Sequence, residues 1–484
     1  MQPKLELLSP DLIEHILGEA FFLLETHGVK VQNAEARRLL GEAGARVDEA
    51  HEVVYIPEAL VRRALETVPR EFYLYNRAGE PAVRYGGDAV HFDPGSSGVH
   101  ILDPDTLEHR PSQTADLVRL VQAAEMLPQY AAQSTAVVCN EVPKPIGDLY
   151  RLYIVLLYSA KPIVTGAFSA QTAHYMFDML AIFAGGREEL TQKPRAIFDV
   201  CPSPPLIWSE FGAHNLMDLA RARVPAQIVS MPLAGATAPV TILGSVVQHA
   251  AELLSGIVIH QLAKPGAPIV WGGAPAIFDM RHGTTPMGAI ETAMLDVAYA
   301  QVGKFLGLPT HTYLGASDAK LVDAQAGLES GITAVIGALG GINMISGAGM
   351  LDFLACQSAE KLVVDAEAIG MALRLLEGIQ VHTDTLALEM FASIGFRGDF
   401  LKQKITRQLF PKEQYLPSVV LDRGSIRAWE EGGRLDTFAR ARMRVRELLS
   451  AYRRPPMDPA QERELRSMVE RLARQAGMDR LPPL

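Results

Sequence analysis

Between Thr310 and Gly331 the chain reads THTYLGASDAKLVDAQAGLESG, a run that begins like a strand and ends like a helix. His311 and Tyr313 stand two apart, the spacing that puts both side chains on one face of a strand. Asp318, Lys320, Asp323, Gln325 and Glu329 then follow around a turn that carries Gly315. Leu321, Ala324, Leu328, Val335 and Leu339 recur at three-, four- and seven-residue spacing, the stripe of a helix buried on one side. Polar chemistry is thus concentrated at the mouth of one strand–helix junction. The acids also have a plainer use, because an aspartate at such a turn can cap the helix by accepting its free N–H groups. That reading applies to Asp318 and more strongly to Asp323.

The same pattern of a short apolar run, a breaker and an amphipathic stretch recurs along the chain. Strands are expected at Ala89–Phe92, Ala132–Val138, Pro162–Thr165, Ala196–Val200, Gln227–Met231, Pro268–Trp271, Thr310–Leu314 and Ile342–Ile345. Flanking Gly, Pro, Asp and Ser, and regular alternation with helical segments, favour strand over buried helix. Eight strand–helix units predict an α/β fold of the (β/α)8 TIM-barrel class, with a doubly wound open sheet as the alternative. Residues 1–88 read as a helical N-terminal addition, 89–376 as the barrel and 377–484 as a helical C-terminal extension.

Barrel enzymes place their chemistry at the C-terminal ends of the strands. Those positions offer Phe92, Asp93, Ser96 and Ser97, then Asn140 and Glu141, then Trp208, Glu210 and His214. They continue with Met231, Trp271 and Gly272, then His311 to Lys320, and finally Ser346. Several of these rims are small and glycine-rich, which leaves room for something large to approach. Each tryptophan has a packing role as its alternative. No phosphate-binding loop, strand-linked G-x-G-x-x-G, H-E-x-x-H or G-x-S-x-G is present, and the 13 histidines are scattered singly, so no metal is expected. None of the eight expected strands contains a lysine, which argues against a Schiff-base lyase.

Composition narrows the class further. The chain has 484 residues, 48% hydrophobic and 21% charged, which is ordinary globular material. A net charge of −10 gives a nucleic-acid partner no support. Three cysteines far apart in sequence fit a reducing cytoplasm, and the acids in MQPKLELLSPDLIEHIL oppose a signal peptide. Ser330–Leu351 carries no charge and is long enough to cross a membrane, but its glycines and Asn343 split it into a helix end and a buried strand.

The segment from Tyr313 to Glu329, the later ASIGFRGDFL (Ala392–Leu401) and the tail LDRGSIRAWEEGG (Leu421–Gly433) together resemble the trimethylamine methyltransferase family. That resemblance implies a TIM barrel that moves a methyl group from an amine to Co(I) of a separate corrinoid protein, with no cobalamin held tightly by this chain. A homo-oligomer is expected as well. The founding members carry pyrrolysine near the seventh-strand loop, whereas Gly315, Ala316 and Ser317 are ordinary residues here. The pyrrolysine-lacking branch resembles enzymes acting on quaternary amines, glycine betaine among them. At one late position, where the family pattern leads one to expect histidine, this chain has QKITRQLF (Gln403–Phe410).

A quaternary ammonium suits aromatic faces, each contributing roughly 0.5–2 kcal/mol. Phe92, Trp208, Trp271 and Tyr313 are the candidate rings, with Glu210 or Asp318 as charge partner and His311, Lys320 or Arg281 as donor to a carboxylate. Ser97, Gly272, Gly315 and Ser346 are the candidate corrinoid-facing residues. A non-catalytic betaine-binding protein and a metal-independent lyase are the competing readings.

Overall fold

The computed structural model describes residues 2–396 and 398–484. Eight strand–helix units run through its middle. The strands are β1 (His91–Pro94), β2 (Gln133–Ser134), β3 (Ile163–Thr165), β4 (Ala196–Val200), β5 (Ala226–Ser230), β6 (Ile269–Gly273), β7 (His311–Thr312) and β8 (Met344–Ala348). The helices that follow them are α1 (Thr114–Glu125), α2 (Gly147–Tyr158), α3 (Ala170–Ala184), α4 (Glu210–Ala222), α5 (Ile242–Ala263), α6 (Ile290–Phe305), α7 (Ala324–Leu339) and α8 (Ala359–Leu376). Each strand lies at or beside an expected one, with ends shifted by a few residues. Helix α7, however, buries Ala326, Ser330, Thr333, Ala334, Gly337 and Ala338 and leaves Leu328 exposed. The expected stripe of Leu321, Ala324, Leu328, Val335 and Leu339 is therefore not its buried face, and the small residues let α7 pack closely on its neighbours.

All pairings among these strands are parallel. β6, β5, β4, β3 and β2 form one sheet in that order, and β7, β8 and β1 form another. An isolated parallel bridge joins Trp271 to Thr310, and the Ala131 N–H donates to the Phe92 carbonyl at 2.9 Å. Strand-to-helix turns are fixed by short polar side chains. Ser169, Ser209, Thr241, Asp323 and Ser358 each accept a hydrogen bond from an N–H in the first turn of α3, α4, α5, α7 and α8. Asp323 is therefore the cap of α7, as its position suggests.

Helices cover one face of the strands. On the opposite face, Ala132, Val164, Ile197, Val270 and Met344 pack against an antiparallel hairpin of Phe72–Tyr75 and Pro81–Tyr85. Leu74, Val83 and Tyr85 of the hairpin are fully buried there, and the Phe72 and Tyr85 rings stack at 4.9 Å. The hairpin thus seals the N-terminal ends of the strands with apolar surface. The N-terminal 88 residues are not helical alone. Val29–Val31, Arg46–Asp48, Val53–Tyr55 and Ile207–Trp208 build a further four-stranded sheet beside three helices.

The uncharged stretch from Ser330 divides into the end of α7 and strand β8, as its glycines suggest. Among the described residues, the helix apolar and long enough to cross a membrane is α5, with a mean hydropathy of 1.6, and it is mostly buried within the protein. Its neighbours are Pro10–Thr26, Glu58–Thr67, α4 and α6. Near the C-terminus, Thr437–Ala451 packs on α1 and α8, and Pro459–Gln475 packs on α2 and α3.

Candidate active site

Side chains alternate across a strand, so residues two beyond the apolar layer share its face. Above Ile197, Val270 and Met344 stand Asp199, Gly272 and Ser346, and with them come Asp93, Gln227 and His311. This second layer is polar and almost wholly buried. Ser346 Oγ donates to Asp93 Oδ1 at 2.5 Å and lies 3.1 Å from His311 Nε2. Gln227 Nε2 donates to Asp199 Oδ1 at 2.7 Å, and the Tyr313 hydroxyl donates to Asp199 Oδ2 at 3.1 Å.

Above the polar layer the surroundings become apolar again. Val229, Ala274, Ala276 and Met287 surround the Tyr313 ring, with Leu233 and Leu354 packed against them. The ring of His311 meets that of Tyr313 edge-on at 5.2 Å. Gly272 keeps the space beside His311 open, since a Cβ there would lie 2.6 Å from the Ile228 carbonyl oxygen and 3.0 Å from His311 Nδ1.

Burial sets the protonation of this layer. It pushes the Asp199 carboxyl up to about 7, against hydrogen bonds from Gln227 and Tyr313 that favour the anion. Burial also raises the Asp93 carboxyl well above the ordinary range, and it lowers the His311 imidazole to about 3, so the ring is neutral. Asp93 Oδ2 and His311 Nδ1 are buried with no hydrogen-bond partner among the described residues. Burial thus favours the uncharged forms of Asp93 and His311, while Asp199, in contact with the Tyr313 hydroxyl, sits at the point where it can be either acid or anion near neutral pH.

The turn after β1 links this layer to a buried cation. Ser96 Oγ lies 3.1 Å from the Tyr313 hydroxyl, and its neighbour Ser97, held at φ +64°, accepts a hydrogen bond from Arg151 Nη1 at 3.0 Å. Arg151 also donates to the Thr135 carbonyl at 3.0 Å. Its Nε and Nη2 are buried without a partner among the described residues, and burial lowers the guanidinium to about 10. The ring of Phe168 lies 4.7 Å from the guanidinium carbon and lines an open pocket of about 560 Å³ with Val138, Cys139 and Thr172.

Of the expected substrate contacts, His311 and Tyr313 meet in this site. Ser346 and Gly272, expected to face a corrinoid, lie in the polar layer below Tyr313, not at the rim. Gly315, at φ +80°, donates its N–H to Thr333, and a Cβ there would stand 3.9 Å from that of Ala334.

Several candidates lie elsewhere. Phe92, Trp208 and Trp271 point into the layer between strands and helices. Phe92 does so because its neighbour Asp93 takes the inner face. The Trp271 indole N–H donates to the Tyr299 carbonyl, and its ring fills the space left by Gly303. Trp208 donates to Ser255 Oγ and packs on Gly256. Glu210 is exposed and accepts from Asn33 in the N-terminal part. Asp318 caps no helix. Its two carboxylate oxygens accept the Met287 and Gly288 N–H groups at 2.8 and 2.9 Å, tying the loop after β6 to the loop after β7. Lys320 is half exposed, pairs with Asp352 at 3.1 Å and covers the Phe353 ring. Arg281 is exposed and held by Asp279. The residues missing from the sequence-based set are Asp199, Gln227 and Arg151. Asp199 and Gln227 were visible as polar residues inside apolar strands, whereas nothing local distinguishes Arg151.

Residues 1–478 match the family model described as trimethylamine methyltransferase (MTTB). The chain belongs to the trimethylamine methyltransferase family. It is 32% identical to the trimethylamine methyltransferase MttB2 of Methanosarcina mazei, over 97% of this chain and 96% of that one. It is 29% identical to the glycine betaine methyltransferase of Desulfitobacterium hafniense, over 98% of both chains. The crystal structure of the monomethylamine methyltransferase MtmB of Methanosarcina barkeri shares the fold, with a TM-score of 0.54 at 11% identity, covering 98% of this chain and 89% of that one. The chain is therefore a methyltransferase, and the lyase and binding-protein readings fall away.

Proposed function

We propose that this family member removes a methyl group from a zwitterionic quaternary amine of the betaine class and delivers it to a corrinoid on a separate protein. The observation that carries this reading is the shared Ser96–Ser97 turn. Through Ser96 it reaches Tyr313 and Asp199, a cation-binding end, and through Ser97 it reaches Arg151, a buried guanidinium two of whose nitrogens have no partner among the described residues. A betaine carries one charge for each end, whereas trimethylamine has no group for Arg151.

The chemistry asks little of the protein beyond position and environment. The C–N bond breaks, its electron pair stays on nitrogen, and a neutral tertiary amine leaves without needing a proton. When bound, a corrinoid supplies the electron-rich cobalt that accepts the methyl group. The chain's own residues hold the cation against the Tyr313 face, pair its charge with Asp199, anchor the carboxylate on Arg151 and exclude water with the surrounding apolar side chains. Residues 313–320 contain no electrophilic group to activate a protonated amine, which also favours a substrate already quaternary.

The bridge between Trp271 and Thr310 and the bond from Ala131 to Phe92 support reading the two parallel sheets as arcs of one closed eight-stranded barrel. Its C-terminal face would receive the corrinoid protein. Phe168, Met231, Val240 and Met280 are exposed on the loops there, an apolar collar fit for a partner. In this reading residues 89–376 carry the chemistry, with 1–88 and 377–484 as buttresses, and the chain works in the cytoplasm as a homo-oligomer. Exposed Ile379, Leu386, Leu388 and Leu401 favour association between copies.

The test is a substrate panel read as methyl-Co(III) absorbance, comparing glycine betaine, proline betaine, carnitine and trimethylamine. A carboxylated quaternary amine should turn over fastest, and Arg151→Met should raise its KM about 10- to 100-fold, the loss of a charge-assisted bond. Trimethylamine as the best substrate defeats the proposal.

A further inference from the structure

Two neighbouring helices bring together three residues that the sequence keeps apart. His174 lies on the second turn of α3, while His214 and Asp218 stand one turn apart on α4. His214 Nε2 is 3.1 Å and His174 Nε2 is 3.4 Å from the same atom, Asp218 Oδ2. All three ligand atoms fall within 4.8 Å of one another. Zinc bonds to imidazole nitrogen and carboxylate oxygen are about 2.0–2.2 Å long, so two donors on a tetrahedral ion stand about 3.3–3.5 Å apart. The two nitrogen–oxygen separations are close to that spacing.

The carboxylate is also set up for the task. Asp218 Oδ2 is buried and lacks a hydrogen-bond partner among the described residues. Its other oxygen, Oδ1, faces Arg221 Nη1 at 3.8 Å, and Arg221 is held in turn by Glu35 at 2.6 Å. At that distance the contact is electrostatic and not a hydrogen bond, so it leaves both carboxylate oxygens available to a ligand. The His174 side chain is 61% exposed, which gives an ion a way in.

We propose that His174, His214 and Asp218 form a three-ligand site for a divalent cation of the zinc class, with water in the fourth position. The ion would tie α3 to α4 near their N-terminal turns, on the side of the fold where the loops after β3 and β4 emerge. Two surface His–Asp ion pairs are the plain alternative, and they have no preference for a dication.

The experiment uses the full chain, free of any affinity tag and stripped with a chelator. Co²⁺ is titrated with visible absorption as the readout, and Zn²⁺ follows by calorimetry. One equivalent of Co²⁺ should bind with the absorption bands of a four-coordinate ion and be displaced by Zn²⁺, and bound Zn²⁺ should raise the melting temperature. His174→Ala and His214→Gln should each lose that equivalent, and Asp218→Asn should weaken it by about tenfold or more. Failure of the wild type to take up one equivalent overturns the proposal. So does a His174→Ala variant, folded by circular dichroism, that binds as tightly as the wild type. His174 is exposed, so this variant decides the matter even if the other two fold poorly.

Discussion

Tyr313 and Asp199 carry the sharpest residue-scale consequences. Replacing Tyr313 with Ala should weaken betaine binding by roughly 0.5–2 kcal/mol if the ring faces the ammonium, and calorimetry reads this directly. Tyr313→Phe keeps the ring, so it should retain most of that affinity. Asp199 has a native carboxyl near 7, well above its unfolded value of 3.8. A raised pKa means that the folded chain holds its proton more tightly. The stability this provides is fully present below about pH 4 and is lost as pH rises through about 7. Asp199→Asn should therefore match the wild type near pH 4 and exceed it at pH 8, by about 1–4 kcal/mol in chemical denaturation. A cationic ligand favours the anion, so betaine affinity should rise through the same pH window in the wild type and stay flat in Asp199→Asn. A flat wild-type profile would remove Asp199 from the site.

At the scale of elements, the tryptophans belong to the scaffold. Gly256 lies on α5 where a Cβ would stand 2.4 Å from the Trp208 ring and 2.7 Å from Ile228. Gly256→Ala should cost about 1–3 kcal/mol of stability, seen as a lowered melting temperature, and leave KM unchanged for the folded fraction. A shift in KM with intact stability would return Trp208 to the substrate. The hairpin of Phe72–Tyr75 and Pro81–Tyr85 supports the site from below, with Leu74 fully buried against the strands. Leu74→Ala should cost about 2–5 kcal/mol through the cavity it leaves, measured by denaturant unfolding.

For the whole molecule the expected behaviour is dependence on a carrier. The chain has no D-x-H-x-x-G loop with which to hold its own cobalamin. Purified alone, it should leave every methylamine unconsumed. Turnover should start when a Co(I) corrinoid protein is added, and more slowly with free Co(I) cobalamin. Consumption of substrate by the isolated chain in cobalamin-free buffer would refute this. On the proposed docking of that partner against the exposed Phe168, Met231, Val240 and Met280, Met280→Glu should slow turnover with the protein carrier more than with free cobalamin.

The order and approximate limits of eight strand–helix units were determined by the sequence itself, because apolar runs and Gly, Pro, Asp and Ser breakers act locally. The same holds for the Asp323 cap and for the pairing of His311 with Tyr313, which follows from strand geometry two residues apart. Which face of each strand turns inward was decided only by tertiary structure. Phe92 and Trp271 face the helices because Asp93 and Gly272, one residue away, occupy the other face, and a one-residue change of parity exchanges the two. Asp318 was drawn from helix cap to loop tie by the Met287 and Gly288 N–H groups, which come from thirty residues upstream. Arg151, from the helix after β2, reaches the site only because that helix packs against the Ser96–Ser97 turn. His174 meets His214 and Asp218 only across the contact between α3 and α4. Local chemistry travels with the sequence, whereas convergence of distant side chains depends on how helices and strands pack in three dimensions.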